Sequence, residues 1–312
     1  MEGKNRILLA VDGSDQAMEA VRYVSRMMPS HRSHVVLYYL GYETTNLYSD
    51  LDANPLYRSK IADIKRWMGD ERISMGSFME SAEKILFAAG YDKESVEVKI
   101  AQKGLGVSDD IIREAYNPYS AVVLGRTGTS KFKDALMKSA AYHIITEVKH
   151  IPVIVVGGKP RSEKILIAFD GSIGSMKGVI SVAQLLGEAK CQVMLYTLIV
   201  PGNKFWIADK ESISFDEVTD TKEYNMKKLA PRFSEAKGIL KNGGILPENI
   251  FNKLVIIDAN RAKNIIATAE ETGFDSIVIG RRGQISAIEG FFVSRISEKI
   301  LKYGEKSVVW II

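Results

Sequence analysis

Two short constellations in this sequence combine residue types suited to holding anions and hydrogen-bonding groups. Asp12-Gly13-Ser14 recurs as Asp170-Gly171-Ser172. Gly125-Arg126-Thr127-Gly128 with Ser139 recurs as Gly280-Arg281-Arg282-Gly283 with Ser294. Glycines placed after a strand and before a helix let backbone N–H groups come close to an anion. The helix N-terminus adds partial positive charge, and an Asp at the end of a neighbouring strand can hydrogen-bond a base or a sugar. Taken singly each signal is weak, because Asp-Gly-Ser is more often a turn and helix cap, and Gly-x-x-Gly is common in loops. Their joint recurrence is stronger, although it does not separate an inherited fold from an inherited ligand. The pair Arg281-Arg282 is more cationic than Arg126-Thr127; guanidinium groups suit phosphates and equally suit a solvated surface.

Other chemistry is poorly represented. Gly104-Leu105-Gly106 precedes a helix, but Asp109 stands where a dinucleotide fingerprint needs its third glycine, and the second copy has Ala259–Ala262 there; the segment reads as a loop. No Gly-x-x-x-x-Gly-Lys-Ser/Thr loop is present, nor the Ser-Gly-Gly-x-Asp-Ser of ATP pyrophosphatases, nor His-x-Gly-His. The four histidines are His31, His34, His143 and His150. His31 and His34 lack further metal ligands nearby and read as a surface pair. No Gly-x-Ser-x-Gly, nucleophile–base pair or carboxylate cluster stands out, so no catalytic residue and no metal ligand is assigned. Tyr48, Leu51, Leu56 and Tyr57 in the first copy, and Phe205, Trp206 and Ile207 in the second, read by default as packing, with a lid or a partner contact as the alternatives.

The elements that must position these residues repeat as well. Residues 6–14, RILLAVDGS, return as KILIAFDGS at 164–172, 158 residues later. AVVLGRTG at 121–128 returns as SIVIGRRG at 276–283, 155 residues later, and PVIVV at 152–156 aligns with SVVWI at 307–311. Each copy reads as strand, turn and helix, with Ser14 or Asp15 able to cap the first helix. Ala17, Ala20, Val21, Val24 and Met27 form its apolar face. Further strands are expected at Val35–Leu40 and Val193–Ile199, at Val96–Ala101 and Ile250–Ile256, and before each glycine motif, with helices near 75–90 and 221–242. Continuous apolar strands alternating with helices predict a doubly wound parallel sheet, with a site beyond the strand C-termini. The fold class is α/β, as two tandem doubly wound five-stranded parallel-sheet domains, 1–158 and 162–312. The Gly-Gly and Pro of residues 157–162 form the linker.

The 312 residues are 46% hydrophobic and carry 42 Lys+Arg against 38 Asp+Glu, a net charge of +4. This balance gives no reason to invoke nucleic acid or anionic lipid. One cysteine, Cys191, precludes an intrachain disulfide. The first apolar run, Ile7–Val11, is too short for a signal-peptide core, and no run is long enough for an integral membrane segment. A cytoplasmic location is expected.

The order strand-Asp-Gly-Ser-helix, strand-Gly-x-x-Gly, Ser and terminal strand resembles the universal stress protein family, twice over and across nearly the whole chain. That fold is related to those of the adenine nucleotide alpha hydrolases. The resemblance implies a stress-response or signalling module that binds an adenine nucleotide (ATP, ADP or AMP, with Mg accompanying ATP) in one or both copies. Asp12 and Asp170 would meet adenine, and Gly125, Gly128, Ser139, Gly280, Gly283 and Ser294 would hold ribose and phosphates. Lys138 and Val293 depart from the family pattern, which has a third glycine there, and either side chain would crowd a backbone cradle. The alternative is a scaffold without nucleotide, or a binder of another small ligand. A slow ATP hydrolase ranks last, since no general base stands out. The resemblance also implies an intramolecular pseudo-dimer through antiparallel last strands, with a homodimer of tandem chains as a further level.

Overall fold

The computed structural model describes residues 3–41, 74–102, 104–126, 140–199, 221–257, 260–281 and 294–312. In the first repeat these form β1 (Asn5–Val11), α1 (Asp15–Met27), β2 (Ser33–Gly41), α2 (74–88), β3 (Val96–Gln102), α3 (Val107–Ala115), β4 (Ala121–Gly125), α4 (Ala140–Glu147) and β5 (Val153–Val156). The second repeat follows with β6 (Lys164–Ala168), α5 (Ile173–Leu186), β7 (Gln192–Ile199), α6 (Thr221–Asn242) and β8 (Ile250–Ile256). It continues with α7 (Arg261–Thr272), β9 (Ser276–Ile279), α8 (Arg295–Tyr303) and β10 (Val308–Ile311). The expected elements are therefore present. The apolar face read on α1 is buried at every position, and Ser14, not Asp15, is its cap.

The strands make one ten-stranded sheet in the order β3-β2-β1-β4-β5-β10-β9-β6-β7-β8. Each half is parallel throughout, and the two halves meet through the antiparallel pair β5–β10. That junction is completely buried, so apolar edges that would invite aggregation if left open are consumed within the chain. Successive residues of the central strands face alternate layers, and both layers are covered. Ile7, Leu9 and Val11 pack with α1, α2, α5 and α6 on one face. Leu8 and Ala10 pack with α3, α4, α7 and α8 on the other. This two-sided burial is the reason the strands read as continuous apolar runs.

One correction concerns the last strands. The alignment of PVIVV with SVVWI places Trp310 against Val155, but the pairing places it against Ile154. Val122 pairs Val153 in the first repeat, whereas its counterpart Ile277 pairs Val309 in the second. Ile154 and Trp310 therefore correspond, lie opposite each other in the central pair and share one layer. A one-residue slip in a strand moves every side chain to the opposite face, and the ungapped sequence match cannot register it.

The linker is pinned rather than slack. A Cβ on Gly157 would come within 2.7 Å of backbone oxygens of Glu305 and Ser307. Arg161 and Ser162 donate their backbone N–H groups to Asp275, and Arg26 donates to the Pro160 carbonyl.

Candidate functional site

In both repeats the Asp-Gly-Ser turn closes on itself. Asp12 Oδ1 accepts the Ser14 N–H at 3.0 Å, and Asp170 Oδ1 accepts that of Ser172 at the same distance. The middle glycines have φ of +80° and +72°, a conformation that side chains resist. Ser14 Oγ then accepts the Ala17 N–H, and Ser172 Oγ that of Ser175. The turn thus carries β1 into α1 and β6 into α5, and delivers each aspartate to the C-terminal edge of the sheet.

The first glycine of each later motif faces that helix start. A Cβ on Gly125 would lie 2.7 Å from the backbone of Gln16, and one on Gly280 would lie 2.8 Å from the backbone of Gly174. These glycines are required by the contact between a strand end and the first turn of a helix, whatever else binds there. In the second repeat the contact extends to the motif serine. Ser294 Oγ caps α8 by accepting the Ser297 N–H at 3.1 Å, and Ser297 Oγ donates to the Gly280 carbonyl at 3.1 Å. Asp170, Gly280 and Ser294 are thereby gathered where the N-termini of α5 and α8 meet the ends of β6 and β9. In the first repeat Asp12 and Gly125 are brought together in the same way. Gly128, Ser139, Gly283, Lys138 and Val293 lie outside the described residues, as do Arg282 and the apolar groups of 43–60 and 205–207.

The described groups divide by role: backbone amides and serine hydroxyls at the starts of α5 and α8 suit an anion, while the carboxylate of the adjoining strand end accepts from an N–H or O–H donor. Among the described residues no group of three or more His, Cys, Asp or Glu is placed to hold a metal ion. No helix among them is long and apolar enough to cross a membrane.

Three findings go beyond the reading of the sequence. Arg281 is neither poised as a phosphate ligand nor solvated. It is 9% exposed, and its guanidinium donates to the Ile145 and Val148 carbonyls at the C-terminal end of α4 in the other repeat. Burial lowers its pKa to about 10, which leaves it charged at neutral pH, opposite the negative end of a helix dipole. Arg126 makes the reciprocal reach, donating to the Gly304 carbonyl at 2.8 Å, just past α8. Second, the Gly104-Leu105-Gly106 loop is filled from within. Buried Asp110 accepts the N–H groups of Gly104 at 2.7 Å and Leu105 at 3.3 Å, and pairs with Arg113 at 2.8 Å. Burial alone would raise the Asp110 pKa, but the amides of Gly104, Leu105 and Gly106, with Arg113, outweigh it and hold the carboxyl below its usual range. An Asp in the first turn after a Gly-x-Gly loop was the available signal. Third, His31 and His34 do not share a ligand: His31 meets Glu188 at 2.9 Å, and His34 meets Glu97 at 3.4 Å.

Comparison with known proteins follows the repeat. The model of the universal stress protein family matches residues 4–157 and again 161–311. No curated protein matches the chain. A universal stress protein structure from Archaeoglobus fulgidus DSM 4304 is similar over 100% of this chain and 98% of its own, at 15% identity and a TM-score of 0.63. A functionally unknown protein from Pseudomonas aeruginosa PAO1 is similar over 99% of this chain and 92% of its own, at 14% identity and a TM-score of 0.54. A universal stress protein in complex with cAMP matches 48% of this chain and 94% of its own, at 17% identity and a TM-score of 0.34.

Proposed function

Since the chain belongs to the universal stress protein family, in two tandem copies, we propose that it is a signalling module whose sheet edge binds an adenine nucleotide in one or both repeats. The domains are 1–158 and 162–312. Asp12 and Asp170 hold the base, while Gly125, Gly128 and Ser139, with Gly280, Gly283 and Ser294, hold ribose and phosphates. Mg would accompany the phosphates of ATP. The observation that carries this reading is the convergence of Asp170, Gly280 and Ser294 at two helix N-termini. A carboxylate can accept from an exocyclic amine, and helix-terminal amides stabilise negative charge.

The deciding experiment is mass spectrometry of ligand released by denaturing the purified protein, with ATP titration calorimetry alongside. ATP, ADP or AMP in near-stoichiometric amount is the expected outcome. Absence of both nucleotide and binding heat would overturn it. That outcome would favour the second reading, a scaffold or a binder of another small ligand, which Lys138 and Val293 at the third-glycine positions support. Lys138→Gly and Val293→Gly are expected to tighten ATP binding, since each restores the third glycine of the family pattern. Unchanged affinity would show that these side chains do not obstruct it.

A further inference from the structure

We propose that the two motif sites are energetically coupled, each through an arginine that clasps the C-terminal end of the other repeat's last helix; this rests on the nucleotide reading above. The first leg runs entirely through described residues. Arg126 follows Gly125, the first glycine of the first motif, and its backbone N–H is fixed on the Val156 carbonyl at 2.8 Å. Its guanidinium crosses to Gly304, whose own N–H is bonded to Ile300 at 2.8 Å as the cap of α8. Helix α8 has nine residues, about 13 Å of rigid rod. Its other end is capped by Ser294, the serine of the second motif. A shift of Arg126 therefore acts on the helix that positions Ser294.

The return leg has the same form. Arg281 follows Gly280, its N–H is bonded to the Ile312 carbonyl at 3.0 Å, and its carbonyl accepts the Ser294 N–H at 2.7 Å. Its guanidinium holds the Ile145 and Val148 carbonyls at the end of α4. That helix begins at Ala140, which follows Ser139 of the first motif in the chain. Arg281 is 9% exposed, and its Nε is buried without a partner among the described residues, so the two carbonyls of the first repeat are the described partners of its guanidinium. Each arginine is a positioning residue, outside the groups proposed to touch nucleotide. Coupling between two sites acts equally in both directions whatever contact carries it, and here two contacts of the same form link the repeats.

Calorimetry on the full chain tests this with ATP as probe. Asp12→Ala is expected to leave ATP at the second repeat and Asp170→Ala at the first; a wild-type stoichiometry of one ATP per chain would overturn the coupling and leave a single occupied repeat under the nucleotide reading. Adding Arg126→Gln to Asp12→Ala is expected to weaken ATP binding at the second repeat by about fivefold or more, although Arg126 belongs to the first. Arg281→Gln in the Asp170→Ala chain does the same at the first repeat, and lysine at either position, which keeps one charged donor, recovers part of the loss. Unchanged affinity in both would overturn the coupling and leave the nucleotide reading standing. If wild-type protein binds no ATP, that reading falls, and the coupling is decided without ligand by amide hydrogen exchange in Arg126→Gln. Faster exchange reaching the Ser297 amide, at the Ser294 end of α8, upholds it. Faster exchange confined to the last turn beside Gly304 overturns it.

Discussion

Tyr23, Ser276 and Trp310 form a buried chain of hydrogen bonds across the two repeats. The Trp310 indole donates to the Tyr23 hydroxyl at 2.8 Å, and that hydroxyl lies 2.9 Å from Ser276 Oγ. Burial pushes the Tyr23 pKa up, so the hydroxyl keeps its proton. In Tyr23→Phe two buried polar groups lose their partner, which costs about 1–3 kcal/mol, to be read as a lower urea midpoint with unchanged slope. Gly280→Ala is expected to be as damaging for a different reason. Its Cβ would meet the backbone of Gly174, and backbone cannot swing aside as a side chain does. The cost is about 1–3 kcal/mol, and thermal unfolding would show it in the absence of any ligand. A neutral Gly280→Ala would mean that the strand end and helix start are less tightly joined than the contact indicates.

At the scale of the element, the helix starts are specified locally and held by charge. Ser14, Ser172 and Ser294 each cap a helix, and replacing any one by alanine costs about 1 kcal/mol. At α3 no side chain caps the helix start; buried Asp110 in its first turn instead accepts amides of the preceding loop. Its pKa is depressed in the folded chain, so its stabilisation is complete above the ordinary carboxylate range and is lost as pH falls through the lowered value. Urea titrations at a series of acidic pH values should show wild-type stability dropping over that window. Asp110→Asn should be less stable near neutrality and show a flatter acid limb; an unchanged limb would remove Asp110 from the account.

For the whole molecule, the central pair β5–β10 makes the two repeats one sheet. Trp310, fully buried opposite Ile154, packs within the single layer in which apolar residues of both repeats meet. Trp310→Ala removes a large side chain from a site that backbone strands on both sides prevent from collapsing, at a cost of about 3–5 kcal/mol. Because the junction is shared, wild-type unfolding by urea is expected as one transition seen alike by circular dichroism and by fluorescence. Two separated transitions would show that the repeats unfold independently despite the common sheet.

Local and periodic features were legible from the chain alone. The repeat, the continuous apolar strands, the α1 face, the Asp-Gly-Ser caps and the order of elements all depend on residue type at fixed spacing. Those spacings dictate which side chains share a face. The site was legible only as recurring residue types. What brings Asp170 to Gly280 and Ser294 is the adjacency of β6 and β9, strands more than 100 positions apart in the chain. Tertiary structure alone decided the one-residue offset of the last strand, because apolar residues on both faces of a doubly covered strand leave no alternation to read. It also decided the destinations of Arg126 and Arg281. An arginine in a glycine motif looks alike in sequence whether it meets a phosphate, water or a carbonyl. Which of them it finds depends on the backbone that the antiparallel junction sets before it.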